Sequence, residues 1–283
     1  EIDEDNCEQF YEKLNTEMQE IQYEENKYIN QEFDKKLELI KIYSIKYYTL
    51  IKNLILTDIN YYLFNYKTIT INDANNKYNQ SKFIFPKGKV LIYSEFRKRG
   101  VDCIGELLNL FNHRNLQDYI DEKITIEDNL KYIKENLETE QKTLYYIWNP
   151  GQINHLKNHI AKLIFNSKEN IYGEICRIMF ITVSGSEGLS LHNVRQVHIM
   201  EPFWYKTQEE QVIGRARRFK SHNLLLKDDR NVYVYRYISK TNNEELKELS
   251  TEQYIQNKSD KMYNVVSSLS NIFKSSGVNC IFT

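Results

Sequence analysis

The sequence predicts an α/β protein in which a parallel sheet is covered by helices. Short runs that are wholly apolar, such as residues 90–93, alternate along the chain with longer segments whose apolar residues recur at helical spacing. A run that is apolar at every position is typical of a strand buried on both faces of a parallel sheet. Because strands and helices alternate, we expect βαβ units with functional loops at the carboxyl ends of the strands.

Each predicted element has its own local pattern. Five strands are predicted from short apolar or alternating runs, at residues 90–93, 144–148, 178–183, 196–200 and 232–238. Helices are predicted where apolar residues recur every three or four positions, at residues 35–56, 104–111, 153–165, 207–217 and 242–273. The last helix is expected to return onto the domain through Ile255, Met262, Val266, Leu269 and Phe273.

Composition excludes several classes of protein. The 283 residues have a formal charge of −1, so phosphate binding has to come from local clusters and backbone amides rather than from bulk positive charge. No apolar run reaches the roughly 18 residues that a membrane span needs. The four cysteines lie far apart without a C-x-x-C pair, which favours a reducing compartment. His155 and His159 share a predicted helix, but no third ligand is visible and we expect no metal site.

Three regions are expected along the chain. Residues 1–86 form an N-terminal helical extension and connection, which begins with ten acidic residues among the first 25, usually the sign of a solvated face. Residues 87–240 form the α/β lobe, with a polar insertion at 113–141. Residues 241–283 form a C-terminal helical extension. Because the chain starts at Glu1 without a signal peptide, we expect a fragment of a longer polypeptide.

A turn rich in hydroxyl groups follows the third predicted strand. It covers residues 182–191 and reads TVSGSEGLSL. Its glycines let the backbone approach a ligand, and the hydroxyls of residues such as Thr182 and Ser184, with exposed amides, can bond phosphate oxygens. The segment by itself equally suits a tight turn that binds nothing.

The predicted helix at 207–217 carries a cluster of arginines, with the sequence QVIGRARR at residues 211–218. Arg215 and Arg218 are three positions apart and are expected on one helical face, which Gln211 joins one turn earlier. Two guanidinium groups beside an amide can hold a phosphoryl group and neutralise the charge of its transition state. The alternative is a basic surface helix that only forms salt bridges.

The order and spacing of these segments resemble the second RecA-like lobe of superfamily-2 helicases. Residues 90–96 resemble motif IV, residues 182–191 motif V, and residues 211–218 the Q-x-x-G-R-x-x-R pattern of motif VI. The sequence VRQVHIMEPFW at 194–204 narrows the resemblance. It is similar to the viral ATPase-helicase group that includes the small subunit of the poxvirus early transcription factor, poxvirus nucleoside triphosphate phosphohydrolase I, and relatives in African swine fever virus and giant viruses.

This resemblance implies a RecA-like fold that supplies one half of an ATP-hydrolysing site. The chain has no P-loop of the form G-x-x-x-x-G-K-[ST] and no Asp-Glu motif on a strand. ATP and Mg²⁺ would therefore be bound mainly by a first RecA-like lobe, in the same or another chain, and this chain alone is expected to be inactive. The resemblance makes Arg215 and Arg218 arginine fingers, with Arg218 preferred, while Gln211 orders the attacking water. The remaining contacts expected on the nucleotide side are Glu187, Gly188 and Gly214.

On the other edge of the lobe, the resemblance implies contacts with the backbone of nucleic acid, DNA being favoured over RNA. The residues expected to make them are Ser94, Phe96, Arg97, Thr182 and Ser184. Viral RNA polymerase or transcription-factor subunits are further implied partners, and the virion and host cytoplasm the implied location. The alternative function is a non-catalytic RecA-like module that docks transcription or capping machinery.

Overall fold

A parallel sheet forms the centre of the molecule. The computed structural model describes residues 29–56, 87–140, 142–149, 155–183, 189–240 and 249–276. The strands are β1 (Lys89–Tyr93), β2 (His113–Asn115), β3 (Thr143–Ile147), β4 (Cys176–Ile181), β5 (Val194–Ile199) and β6 (Tyr233–Arg236). They lie in the order β2-β3-β4-β1-β5-β6, and every neighbouring pair is parallel. The predicted α/β class is confirmed.

The interior strands follow their apolar patterns, and the first edge strand does not. β1, β3, β4 and β5 are buried along their whole length. β2 consists of the polar residues His113, Arg114 and Asn115, which pair with β3, and no strand was predicted there. The segment at 113–141, expected to be an insertion, therefore contributes the edge of the sheet.

Helices cover the sheet on both faces. They are α1 (Ile29–Tyr43), α2 (Ile45–Leu56), α3 (Cys103–Asn109), α4 (Ile126–Glu140), α5 (His155–Asn166), α6 (Lys206–Ala216) and α7 (Thr251–Ser276). The single helix predicted at 35–56 is wrong because Ser44 divides it. The Ser44 hydroxyl caps the start of α2 by accepting a hydrogen bond from the Tyr47 N–H at 3.3 Å.

Two apolar cores lie on the two faces of the sheet. On one face, Val90 and Ile92 of β1 pack with Leu54 of α2 and with residues of α1 and α3. On the other, Leu91 of β1 packs with Ile164 of α5 and with residues of α4 and α6. Successive side chains of a strand point to opposite faces, so the central strands supply both cores and a three-layer architecture results.

The described part of the N-terminal extension belongs to this body. Buried Arg177 of β4 donates from Nη1 to the Leu54 carbonyl at 2.8 Å. Lys46 of α2 donates to the Met200 carbonyl at 2.7 Å and forms an ion pair with Glu252 of α7 at 2.6 Å. The acidic leader, the connection predicted at 58–86 and the first part of the predicted tail helix, 242–248, lie outside the described residues. No helix in the described part is long and apolar enough to cross a membrane.

Candidate functional site

The described site residues lie at the two ends of the parallel strands. We call the end at which the strands finish the carboxyl edge and the end at which they start the amino edge. At the carboxyl edge, Phe96 follows β1 and Thr182 follows β4, two strands that pair to their ends. At the amino edge, the Leu191 N–H donates to the Arg215 carbonyl at 3.2 Å, just ahead of β5. We expected functional residues in loops at the carboxyl ends of the strands, and the arginines do not lie there. α6 starts after the carboxyl end of β5 and runs back along this strand, so its last residues lie near the amino end of β5.

α6 ends before the second arginine. Its last residue is Ala216, and Arg217 has non-helical φ and ψ angles of −109° and 81°. The turn that follows is held by the Ser221 hydroxyl, which accepts from the Arg218 N–H at 3.2 Å and donates to the Arg218 carbonyl at 2.8 Å. The helix predicted over 211–218 is therefore confirmed only as far as Ala216, and the expected shared helical face of the two arginines is wrong, since a turn places Arg218.

Arg218 is exposed and lies against the segment that leads into β5. Its Nη1 donates to the Ser190 hydroxyl. The Ser190 carbonyl accepts from Nδ2 of Asn166 at 2.9 Å, and Oδ1 of Asn166 accepts from the His192 N–H at 2.8 Å. Asn166 thus ties the end of α5 to the exit of the hydroxyl-rich turn, on which Arg218 rests.

The neighbouring part of α6 is uncrowded. Arg215 is half-buried, and Gln211 one turn earlier is exposed. A Cβ added at Gly214 would meet no described atom within 4 Å, although glycine in a helix interior costs about 1 kcal/mol relative to alanine. Packing among the described residues therefore does not require this glycine. We call Gln211, Gly214, Arg215 and Arg218 the arginine surface.

Positive charge is concentrated around the amino edge. The pKa of His192 is lowered, first by burial and then by the nearby basic side chains of Lys89, His222, Lys162 and Arg218. Lys89 is fully buried and donates to the Phe165 carbonyl at 2.5 Å, and burial lowers its pKa to about 7. Lys89 therefore does not reach a ligand, whereas the exposed guanidinium of Arg218 can contact an anion such as phosphate.

Half of the hydroxyl-rich turn, residues 184–188, lies outside the described residues, including Ser184, Glu187 and Gly188. At its entrance, Thr182 is buried and Val183 is 54% exposed. The roles expected for these residues stay predictions.

Ser94 organises the loop after β1. It is fully buried, and its hydroxyl donates to Oε1 of Glu201 at 3.1 Å and accepts from the Phe96 N–H at 3.3 Å. The Glu95 N–H donates to the other Glu201 oxygen at 2.9 Å. A Cβ on Gly100 would lie 2.1 Å from the Ser94 hydroxyl oxygen, so glycine is needed for this packing. The Ser94 side chain is enclosed in this geometry, and the phosphodiester contact expected for Ser94 stays a prediction.

The residues after Ser94 form an exposed basic turn. Phe96 is 52% exposed and precedes a π-helical turn, Arg97–Asp102. Arg97 is paired with Asp102 at 2.8 Å, whereas Lys98 and Arg99 are exposed. We call Phe96, Arg97, Lys98, Arg99 and Val183 the carboxyl-edge surface. It offers an aromatic ring and cations, which are the groups that stack on bases and contact phosphates in single-strand binding proteins.

Sequence reasoning did not assign Asn166 or Lys162 to the site. The available signal for Asn166 was its position at the end of an apolar helix, where asparagine is a common capping residue. Within the described residues, no group of three His, Cys, Asp or Glu side chains could hold a metal ion.

Comparisons with known proteins identify relatives of the chain. No protein-family model matches it. R350 of Acanthamoeba polyphaga mimivirus, named as an ATP-dependent RNA helicase, is 36% identical over 134 residues, which are 46% of this chain and 16% of that protein. A termination factor NPH-I homolog of African swine fever virus is 30% identical over 173 residues, covering 55% of this chain and 24% of that protein.

A solved structure of the C-terminal part of the Fun30 ATPase domain aligns with 62% of this chain and 48% of its own, at 12% identity and a TM-score of 0.30. That likeness is too low to bear on the fold. The chain spans 16% and 24% of the length of the two viral relatives. The sequence matches confirm the resemblance drawn from the motifs: over about half of its length the chain is similar to viral proteins named as ATP-dependent RNA helicases and NPH-I termination factor homologs.

Proposed function

We propose that this chain is the C-terminal motor lobe of a nucleic-acid-dependent ATPase and helicase that serves viral transcription. The arginine surface carries the proposal. Arg218 is exposed beside the exit of the hydroxyl-rich turn, and the uncrowded Gly214 lies next to Arg215. An arginine finger has to leave its own lobe to reach a nucleotide held by another, and a surface with two cations and an open approach suits that task.

ATP and Mg²⁺ would be bound mainly by a preceding lobe, since the chain has no P-loop. The terminal phosphate of the bound nucleotide, which is the group transferred to water, would lie against the arginine surface. Arg218, supported by Arg215, would neutralise the charge that develops on this group. The exposed amide of Gln211 would orient the attacking water. Glu187 and Gly188 would lie on the nucleotide side of the cleft.

Nucleic acid would bind at the opposite edge of the sheet. Phe96 and the cations of the carboxyl-edge surface would contact the phosphodiester backbone, together with the hydroxyl-rich turn at Thr182 and Ser184. Contacts of this kind position a strand without reading its sequence, which suits a motor that moves along any sequence. DNA is the proposed substrate in preference to RNA, and viral polymerase or transcription-factor subunits are the proposed protein partners.

An ATPase assay of the full-length protein tests this function, with and without single-stranded and duplex DNA and RNA. We expect hydrolysis that increases when nucleic acid is added. Lys98→Glu combined with Arg99→Glu should raise the nucleic acid concentration needed for half-maximal stimulation, because two phosphate contacts are reversed in charge. Lys227→Glu, at an exposed position outside both surfaces, is the control. A full-length protein that hydrolyses no ATP under any of these conditions would support the non-catalytic docking module instead.

A further inference from the structure

The last helix, α7, has one half that packs on the described lobe and one half that is exposed. Between residues 251 and 263, α7 is held to the lobe by ion pairs of Glu252 with Lys46 at 2.6 Å and of Asp260 with Lys206 at 3.1 Å. Between residues 264 and 276, every residue except the half-buried Ser267 is exposed. The exposed side nevertheless carries large apolar side chains with 45–74% of their surface exposed: Met262, Val265, Val266, Leu269, Ile272 and Phe273. We call these six residues the apolar stripe.

The spacing of the stripe indicates what kind of surface it fits. Its members occupy three positions of each heptad, which is the pattern of a helix that faces the core of a globular protein or bundle. A two-stranded coiled coil uses two positions per heptad and carries charged residues beside them. Here the other positions between residues 264 and 275 are serines and asparagines, apart from Lys274. The stripe therefore favours a groove on a globular partner over pairing with a second copy of α7.

The direction of α7 indicates where that partner lies. Three contacts advance together along α6 and α7, so the two helices run the same way. In order, they join Trp204 with Lys258, Lys206 with Asp260, and Glu210 with Tyr263. Beyond the last contact, α6 continues for about 9 Å towards the arginine surface, and α7 continues in the same direction for about 20 Å. The stripe thus extends towards the edge at which Arg218 lies.

We propose that the apolar stripe is a docking arm that packs into an apolar groove on the nucleotide-binding lobe. This proposal rests on the proposed function, which places that lobe over the arginine surface. The two viral relatives have room for such a lobe, because this chain spans 16% and 24% of their length. The arm keeps the two lobes attached while the arginine surface engages and releases nucleotide.

Photocrosslinking of the full-length protein tests the arm. Benzoylphenylalanine is placed at Leu269 in one preparation and at Asn271, which faces away from the stripe, in another, and the adducts are mapped by mass spectrometry. We expect adducts from position 269 in residues that precede this chain, and few from position 271. Adducts with a second copy, adducts confined to this chain, or no adduct at position 269 would overturn the proposal.

A pair of variants measures the contribution of the arm. Leu269→Asp places a charge in the stripe, and Asn271→Asp places the same charge on the opposite face. We expect Leu269→Asp to lower kcat/KM for ATP by about tenfold or more, and Asn271→Asp to leave it within about twofold. Equal effects of the two variants would contradict the arm. The crosslink needs no hydrolysis, so a protein without ATPase activity whose Leu269 adducts map to the preceding lobe would refute the motor function and leave the arm standing.

Discussion

Replacing Gly214 by alanine separates the stability of the lobe from its proposed chemistry. Gly214 is a helical residue in the last turn of α6, and apart from the backbone of its own helix no described atom is within 4 Å of the position that a Cβ would take. Alanine is favoured over glycine in a helix interior by about 1 kcal/mol. The free energy of unfolding should therefore rise by about that amount, which raises the melting temperature of a chain of this size by roughly 2–4 °C.

In the full-length protein the same methyl group should lower activity. It projects from the arginine surface between Gln211 and Arg215, where the nucleotide-binding lobe is proposed to approach. A displacement of about 1 Å at a catalytic group can cost on the order of a hundredfold in rate, so we expect kcat for ATP hydrolysis to fall by at least about tenfold. Thermal melting and steady-state ATPase assays on one preparation measure both effects. A Gly214→Ala protein that is more stable and also fully active would refute the close approach of another lobe.

The remaining predictions concern buried polar groups. Asn170 is fully buried, and its side chain forms hydrogen bonds with four backbone groups at the end of α5 and the start of β4. Asn170→Leu should lower the free energy of unfolding, measured with denaturant, by about 3 kcal/mol or more. A decrease below about 1 kcal/mol would contradict this account. His198 accepts from the Tyr237 hydroxyl at 2.8 Å and donates to Gln196 at 3.0 Å, and its pKa is lowered to about 3 by burial and then by nearby Arg177. The unfolded chain takes up this proton below about pH 6.5 and the folded chain only near pH 3, so the contribution of His198 to stability is complete above pH 6.5 and is lost as the pH falls towards 3. Urea unfolding at pH 7 and pH 4.5 should show this loss, and His198→Gln should reduce it; an unchanged pH dependence in that variant would exclude His198 as its source.

The interior strands of the sheet were predictable because a strand that is buried on both faces has apolar residues at nearly every position. β1 and β4 are apolar at nearly every position, and no other local pattern explains such short runs. β2 left no such pattern, because His113, Arg114 and Asn115 are polar residues and pair with β3 through the backbone. The boundary between α1 and α2 at Ser44 could not be predicted either. The helical spacing of apolar residues continues across Ser44, although its hydroxyl caps the start of a second helix.

The candidate site could be proposed from residue types in the sequence, whereas its geometry could not be predicted. The motif at residues 211–218 identified Arg218, but helical spacing could not reveal that α6 ends at Ala216 and that Ser221 forms the turn. The burial of Ser94 could not be predicted for a related reason. Its hydroxyl is enclosed by Glu201, which lies far away in the sequence, and only the tertiary fold brings the two together.

The most direct measurement of the central claim compares two neighbouring arginines in the full-length protein. Arg217 and Arg218 are both exposed, but only Arg218 rests on the exit of the hydroxyl-rich turn through Ser190. We predict that Arg218→Ala lowers kcat for ATP hydrolysis by about 10³–10⁵ while the Kd for ATP changes little, and that Arg217→Ala stays within a few-fold of the parent protein. Near-normal turnover by Arg218→Ala, or an equal loss from both variants, would contradict the claim that Arg218 reaches a phosphate across the cleft.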